Sequence, residues 1–127
     1  MKKILFAWGI FLSSYSQAQT IDVSQLNEVD KQKHRLAYCS ALERWNQWEL
    51  DFLFDAGPIF DIMTLLDDSG FVKRVGDPFM NKAENDTKAK LILGEIKLNQ
   101  IVFNNCINDL KKILKKEYVP NFSYMEK

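Results

Sequence analysis

Two cysteines, Cys39 and Cys106, constrain this chain more than any other pair of its residues. Each lies midway along a stretch whose apolar side chains recur every three or four positions, the spacing of one buried helix face. In an exported chain an even cysteine count reads as a disulfide, and a bond between the middles of two long helices pins them side by side. If the helices run antiparallel, each step forward on one meets a step back on the other, so the staple sets the register of the pair. A redox-active or metal-binding pair is the other use of two cysteines. It is disfavoured here because the chain has no C-x-x-C and only one histidine.

Export is written at the N terminus. Lys2 and Lys3 form a positive n-region, and Ile4 to Leu12 form an apolar run too short to span a bilayer. The chain then turns polar, and Ser16-Gln17-Ala18 places small residues where a signal peptidase cuts, before Gln19. The expectation is a cleaved signal peptide over 1–18, a single helical domain over 19–120, a flexible C-terminal tail over 121–127, and residence in the periplasm or outside the cell. An uncleaved anchor is the competing reading of the same segment. No cysteine borders the cleavage site, which speaks against lipoprotein processing. Losing Lys2 and Lys3 from 17 basic residues against 17 acidic ones leaves a small net negative charge. That balance argues against nucleic acid and anionic membranes as partners. No second apolar run reaches membrane length, so no stable membrane insertion is expected after signal cleavage.

Asp22, with Gln25 three residues on and Ile21 and Leu26 flanking, reads as a capped and stapled helix start. The helix is expected to run to about Phe54, with Leu36, Cys39, Leu42, Trp45, Trp48 and Phe52 on one buried stripe, and to stop at Gly57-Pro58. A short helix over about 58–67 places Ile59, Ile62, Met63 and Leu66 inward and ends at Ser69-Gly70. Asp77-Pro78 marks a fresh start, but the polar stretch 81–87 reads as interrupted or frayed. From Ala89 a stripe of Ile92, Ile96, Phe103, Ile107, Leu110 and Leu114 is firm, widened by Leu98, Val102 and Ile113, with Gly94 inside it and a stop before Pro120. The expected fold is all-α: a small helical bundle built on a long antiparallel hairpin (about 22–55 and 89–118) stapled by Cys39–Cys106, with the short helix and a linker folded across it. In this register the end near Asp55 faces Lys90 and the start near Asp22 faces residue 123.

The most unusual stretch is 45–71. Glu49, Asp51, Asp55, Asp61, Asp67 and Asp68 lie there without a lysine or arginine, interleaved with Trp45, Trp48, Phe52, Phe54 and Phe60. Asp51 and Asp55 repel one turn apart, and Asp55, Asp67 and Asp68 sit at expected helix C-termini, where the helix dipole disfavours negative charge. One reading neutralises Asp67 and Asp68 internally through Lys73 and Arg74. Another makes Trp48, Glu49, Asp51, Asp55, Asp61, Asp67 and Asp68 a docking surface for a basic protein, an acidic rim around aromatic anchors. A third uses the carboxylates for hydrolysis or calcium, although no EF-hand spacing is present. The Trp45-Trp48-Phe52 stripe itself is expected to be core rather than a ligand pocket, because a small bundle needs large side chains.

His34, the single histidine, stands among Lys31, Lys33 and Arg35 and is expected on the solvent side. Neither a metal site nor any cofactor is indicated; haem in particular lacks C-x-x-C-H. No nucleophile motif and no glycine-rich phosphate loop occurs, so no catalytic residue is assigned. The expected function is an exported, noncatalytic protein-binding domain, an inhibitor or immunity-type protein engaging a partner of basic character through the acidic-aromatic surface. In outline the chain is similar to small helical, signal-bearing immunity proteins. A periplasmic chaperone or stress protein is the first alternative, and a carboxylate-dependent hydrolase or metal-binding protein the second. The oligomeric state is not specified.

Overall fold

The computed structural model describes residues 21–72 and 77–119. The signal segment, the C-terminal tail, and Lys73 and Arg74 with their expected pairing to Asp67 and Asp68 lie outside the described residues, as does the expected neighbour of Asp22 at position 123. Among the described residues four helices follow one 3-10 turn: α1 (Glu28–Trp48), α2 (Gly57–Ser69), α3 (Pro78–Ile92) and α4 (Gln100–Glu117). Among the described residues there is no strand. The helices pack on one another as a small bundle. α1 lies most extensively against α3 and also touches α2 and α4, while α2 packs on α4.

Cys39 and Cys106 are bonded, with their Cα atoms 5.7 Å apart, both fully buried in the middle of the core. Four residues before Cys39, Arg35 Nε donates to Asp109 Oδ2 at 2.8 Å, three residues after Cys106. α1 and α4 therefore run antiparallel around the staple. Around it the core collects Leu36 and Leu42 from α1, Phe103 and Leu110 from α4, and the four α2 residues expected to point inward, Ile59, Ile62, Met63 and Leu66.

Three helix boundaries differ from the sequence reading, each for a local reason. Asp22 caps only the 3-10 turn Val23–Gln25, accepting from Ser24 N–H, and α1 begins later behind Asn27, whose side chain accepts from Asp30 N–H at 2.8 Å. α1 ends at Trp48 instead of Phe54, because Asn46 captures the following loop. Its side-chain amide donates to Phe54 C=O at 2.8 Å and accepts from Phe54 N–H at 2.9 Å, and its own carbonyl accepts from Phe52 N–H. Closing that loop puts Asp51 and Phe52 in the left-handed region, with φ of 51° and 60°. Each such non-glycine residue costs about 1–2 kcal/mol.

The third boundary separates α3 from α4. The polar stretch 81–87 is fully helical, and its inward positions Met80, Ala83, Thr87 and Leu91 keep helical spacing. α3 packs on α1, where Ala37, Ser40 and Ala41 are also buried, so small side chains are much of what the two helices bury and leave little apolar signal in the sequence. The Thr87 hydroxyl is satisfied inside its own helix by Ala83 C=O, at 2.9 Å. The break comes at Gly94, which had been expected inside a continuous helix. With φ of +73° it closes α3 in a Schellman motif, Gly94 N–H bonding Leu91 C=O and Glu95 N–H bonding Lys90 C=O. Gly70 ends α2 in the same way, at φ +85°. Asn99 then starts α4 by accepting from Val102 N–H. These two breaks carry the far end away from the expected register: Asp55 meets Gln100 instead of Lys90, and Lys90 lies beside His34. Ile92, expected inward, is exposed.

Candidate functional site

The early end of α1 reverses the expectation for its aromatic stripe. Leu36, Cys39 and Leu42 are buried and Trp45 is half-buried, but Trp48 is 76% exposed and Phe52 65%. Leu53 at 67% and Phe60 at 55% join them on the surface. Phe54 takes the inward place instead, stacked on Phe103 with ring centroids 5.3 Å apart. Had α1 continued, Phe52 would have stayed on the buried stripe; the Asn46 turn exchanges the two rings.

Glu49, Asp51, Asp55, Asp61, Asp67 and Asp68 are all exposed, and none enters any of the ion pairs seen among the described residues, which join Lys33 to Asp77, Arg35 to Asp109 and Arg44 to Glu84. Asp55 is placed by its backbone, with Gln100 accepting from its N–H at 2.8 Å and donating to its C=O at 2.9 Å. Trp48 and Glu49 flank a groove that Trp45, Arg44 and Lys88 also line, and Asp55 borders a shallow depression with Phe52 and Leu53. Asp67 and Asp68 stand apart, at the other end of α2 and about 15 Å from its start by helix rise. Trp48 and Glu49 thus lie on one groove and Asp55 on another, with Asp51 in the loop between them in sequence and Asp61 in the second turn of α2; the last two carboxylates lie at that helix's far end.

Between α1, α2 and α3 a cleft of about 120 Å³ opens beside Trp48. Its floor is the buried Ile59, Met63 and Met80, and Trp48 and Phe60 form its aromatic wall. Glu43, Gln47 and Glu84 give it a polar rim. Arg44 Nη1 donates to Glu84 Oε2 at 3.2 Å, and Ser40 hydrogen-bonds the same carboxylate. Burial pushes the carboxyls of Glu43 and Glu84 above the usual range, with Arg44 opposing in both cases and Ser40 opposing at Glu84. Glu43 and Glu84 were not singled out from sequence. Glu84 sits in the stretch that reads as frayed, and no local pattern links it to residues forty positions earlier.

His34 is half-buried, not free on the solvent side, in a second cleft with Lys31, Tyr38, Asp86 and Lys90. Burial lowers its pKa, Lys90 and Arg35 lower it further, and Asp86 opposes. Among the described residues no three histidine, cysteine or acidic side chains converge as a metal site requires.

Comparison with protein families, with curated proteins and with solved structures finds no match for this chain. The bonded cysteine pair, and the absence among the described residues of any helix long and apolar enough to cross a membrane, are compatible with a periplasmic or extracellular protein.

Proposed function

We propose that this chain is an exported, noncatalytic protein-binding domain, an inhibitor or immunity-type protein that engages a partner of basic character through the surface around Trp48. The observation that carries the reading is Trp48 itself: a tryptophan left 76% exposed on a bundle this small, followed closely in the chain by the exposed Glu49 and Asp51, neither of which enters an ion pair among the described residues. Large aromatic anchors supply most of the energy of such interfaces, and an acidic rim steers a cationic partner to them. Closing the Asn46 loop holds Asp51 and Phe52 in the left-handed region and leaves Phe52 and Leu53 outward, where a partner can reach them. The signal-like N terminus and the disulfide support an address in the periplasm or outside the cell.

The test is a partner recovered with the oxidised protein under nonreducing conditions and titrated against the wild type, Trp48→Ala, and the triple exchange of Asp51, Asp55 and Asp61 to Asn. The expected result is a loss of at least tenfold in affinity for each variant, steeper at low salt for the triple exchange. Unchanged affinity in both would overturn the reading. A chaperone is the second reading, favoured by Ile92, Leu93 and Ile101, further large apolar side chains that are left exposed. It predicts suppression of aggregation of unrelated unfolded clients, which a dedicated inhibitor does not show.

A further inference from the structure

We infer that the cleft around His34, between α1, α3 and the chain ahead of α1, binds a small carboxylic acid, its carboxylate against His34 and Tyr38 under Lys31 and Lys90 and its apolar stem along Ile21 and Val23. The site shares no lining residue with the grooves at Trp48, so it stands or falls apart from the docking surface. At about 340 Å³ it has the size of a small-molecule pocket. One tie builds it: Ile21 N–H donates to Asp86 Oδ2 at 3.2 Å and fixes the chain ahead of α1 against α3. From the inside out, the lining suits a charged tip with an apolar stem behind it. His34 and Tyr38 are half-buried, while Lys31, Lys90 and Val23 are exposed at the mouth. The two ammoniums ride on flexible stems and close over a carboxylate already seated on the inner donors.

Charge settles the sign and the class of the ligand. Arg35 counts for little, because Asp109 holds it at 2.8 Å. It lies over the Tyr38 ring, 5.2 Å from the centroid, which leaves the Tyr38 hydroxyl to donate elsewhere. Lys31 and Lys90 enter no ion pair among the described residues. Against them stands Asp86, half-buried and bonded to Ile21 N–H. Burial, Lys90 and Arg35 lower the His34 pKa against Asp86, so the ring is uncharged in neutral solution and donates from one nitrogen. The cleft therefore carries one unbalanced positive charge. A carboxylate matches it, whereas a phosphate dianion exceeds it beside Asp86. A seated carboxylate in turn favours the protonated imidazole, so ligand and proton assist each other.

The experiment uses the intact, oxidised protein with hexanoate, acetate, hexanamide and hexyl phosphate, at constant ionic strength set with chloride. NMR follows the Cε1 proton of His34, the single histidine of the chain. Hexanoate is expected to shift this signal saturably and to raise the His34 pKa. Acetate, without the stem, and hexanamide, without the charge, are each expected to bind at least tenfold more weakly. Lys90→Gln is expected to weaken hexanoate binding several-fold. Asp86→Asn, which keeps an acceptor for Ile21 N–H, is expected to tighten it several-fold, with the amide spectrum away from the cleft unchanged in both variants. Absence of a saturable shift, a His34 pKa that stays or falls, equal binding of acetate or hexanamide, or weaker binding in Asp86→Asn overturns the inference. An equal response to chloride overturns it as well, since the cleft then gathers any anion. Tighter binding of hexyl phosphate than of hexanoate overturns the assignment to a carboxylic acid.

Discussion

The side-chain amide of Asn46 pairs with the backbone of Phe54 as a neighbouring peptide group would, donating at 2.8 Å and accepting at 2.9 Å. Asn46 is only 2% exposed, so both bonds are made out of water. Their effect reaches the surface: the pair ends α1, seats Phe54 on Phe103, and turns Phe52 and Leu53 outward. Asn46→Ala leaves the Phe54 N–H and C=O without these partners, and a loss of about 2–4 kcal/mol is expected from two hydrogen bonds and their stranded groups. Urea unfolding measures it, and faster amide exchange at Phe54 locates it. Asn46→Asp, which keeps the acceptor but turns a carboxylate oxygen toward Phe54 C=O at a buried position, is expected to destabilise at neutral pH and less so in acid, where a protonated carboxyl can donate.

Trp48→Ala is expected to leave the unfolding free energy within about 0.5 kcal/mol of wild type, since exposed side chains contribute little to stability. The same variant should lose partner affinity. The contrast between a calorimetric scan and a binding isotherm separates a docking residue from a core residue.

Reduction, or Cys39→Ser with Cys106→Ser, opens a loop of 67 residues. Chain entropy puts the loss at about 4 kcal/mol. It is read as the shift in urea midpoint with and without reductant, and a shift below about 1 kcal/mol would contradict a stapling role.

Gly70 and Gly94 close their helices at positive φ, and a Cβ at either position meets no atom within 4 Å. Alanine there is strained without being crowded. Each exchange is expected to destabilise by about 1 kcal/mol, a figure set by backbone conformation alone. At Gly57, where the backbone is ordinary, no comparable strain arises.

Two acid dependences of opposite sign are expected. The Glu43 carboxyl is raised above 4.5 by burial, so the folded chain holds this proton more tightly than the unfolded chain. Its contribution to stability is complete below pH 4.5 and is lost as pH climbs through the folded pKa. Glu43→Gln should therefore stabilise the protein at neutral pH by less than about 1 kcal/mol, given solvent screening at a half-exposed site, and the gain should vanish in acid. His34 is lowered below 6.5, chiefly by burial and then by Lys90, so its contribution is present above pH 6.5 and lost as pH falls through the folded value. His34→Gln should flatten that part of the stability profile, measured as thermal midpoint against pH.

The helical class, the staple and the inward face of α2 were legible because each rests on residues whose local chemistry has one reading. Ile59, Ile62, Met63 and Leu66 repeat cleanly, and two cysteines have one way to pair. The break at Gly94 was hidden because a glycine within an apolar repeat reads as a tolerated interruption, and positive φ leaves no mark of its own. The helix over 81–87 was hidden because Ala83 and Thr87 bury small surfaces that a hydrophobic pattern underweights. At the candidate site the acidic-aromatic segment stood out in composition, but its exposure depends on Asn46 reaching eight residues ahead. The cleft could not be read at all, since Glu43 and Glu84 meet only through the packing of α1 on α3.

The bond between Cys39 and Cys106 joins the first helix to the last and makes a covalent ring of everything between them. A single proteolytic nick anywhere in that ring, at the loop after Trp48 or at the turn through Gly94, changes its connectivity without dividing the molecule. Both fragments stay tethered through the core sulfurs, and their helices remain in place to close again around the cut. Among proteases, a domain built this way tolerates damage to an exposed loop, the one that carries Phe52 and Leu53, and on a nonreducing gel the nicked chain migrates as one band.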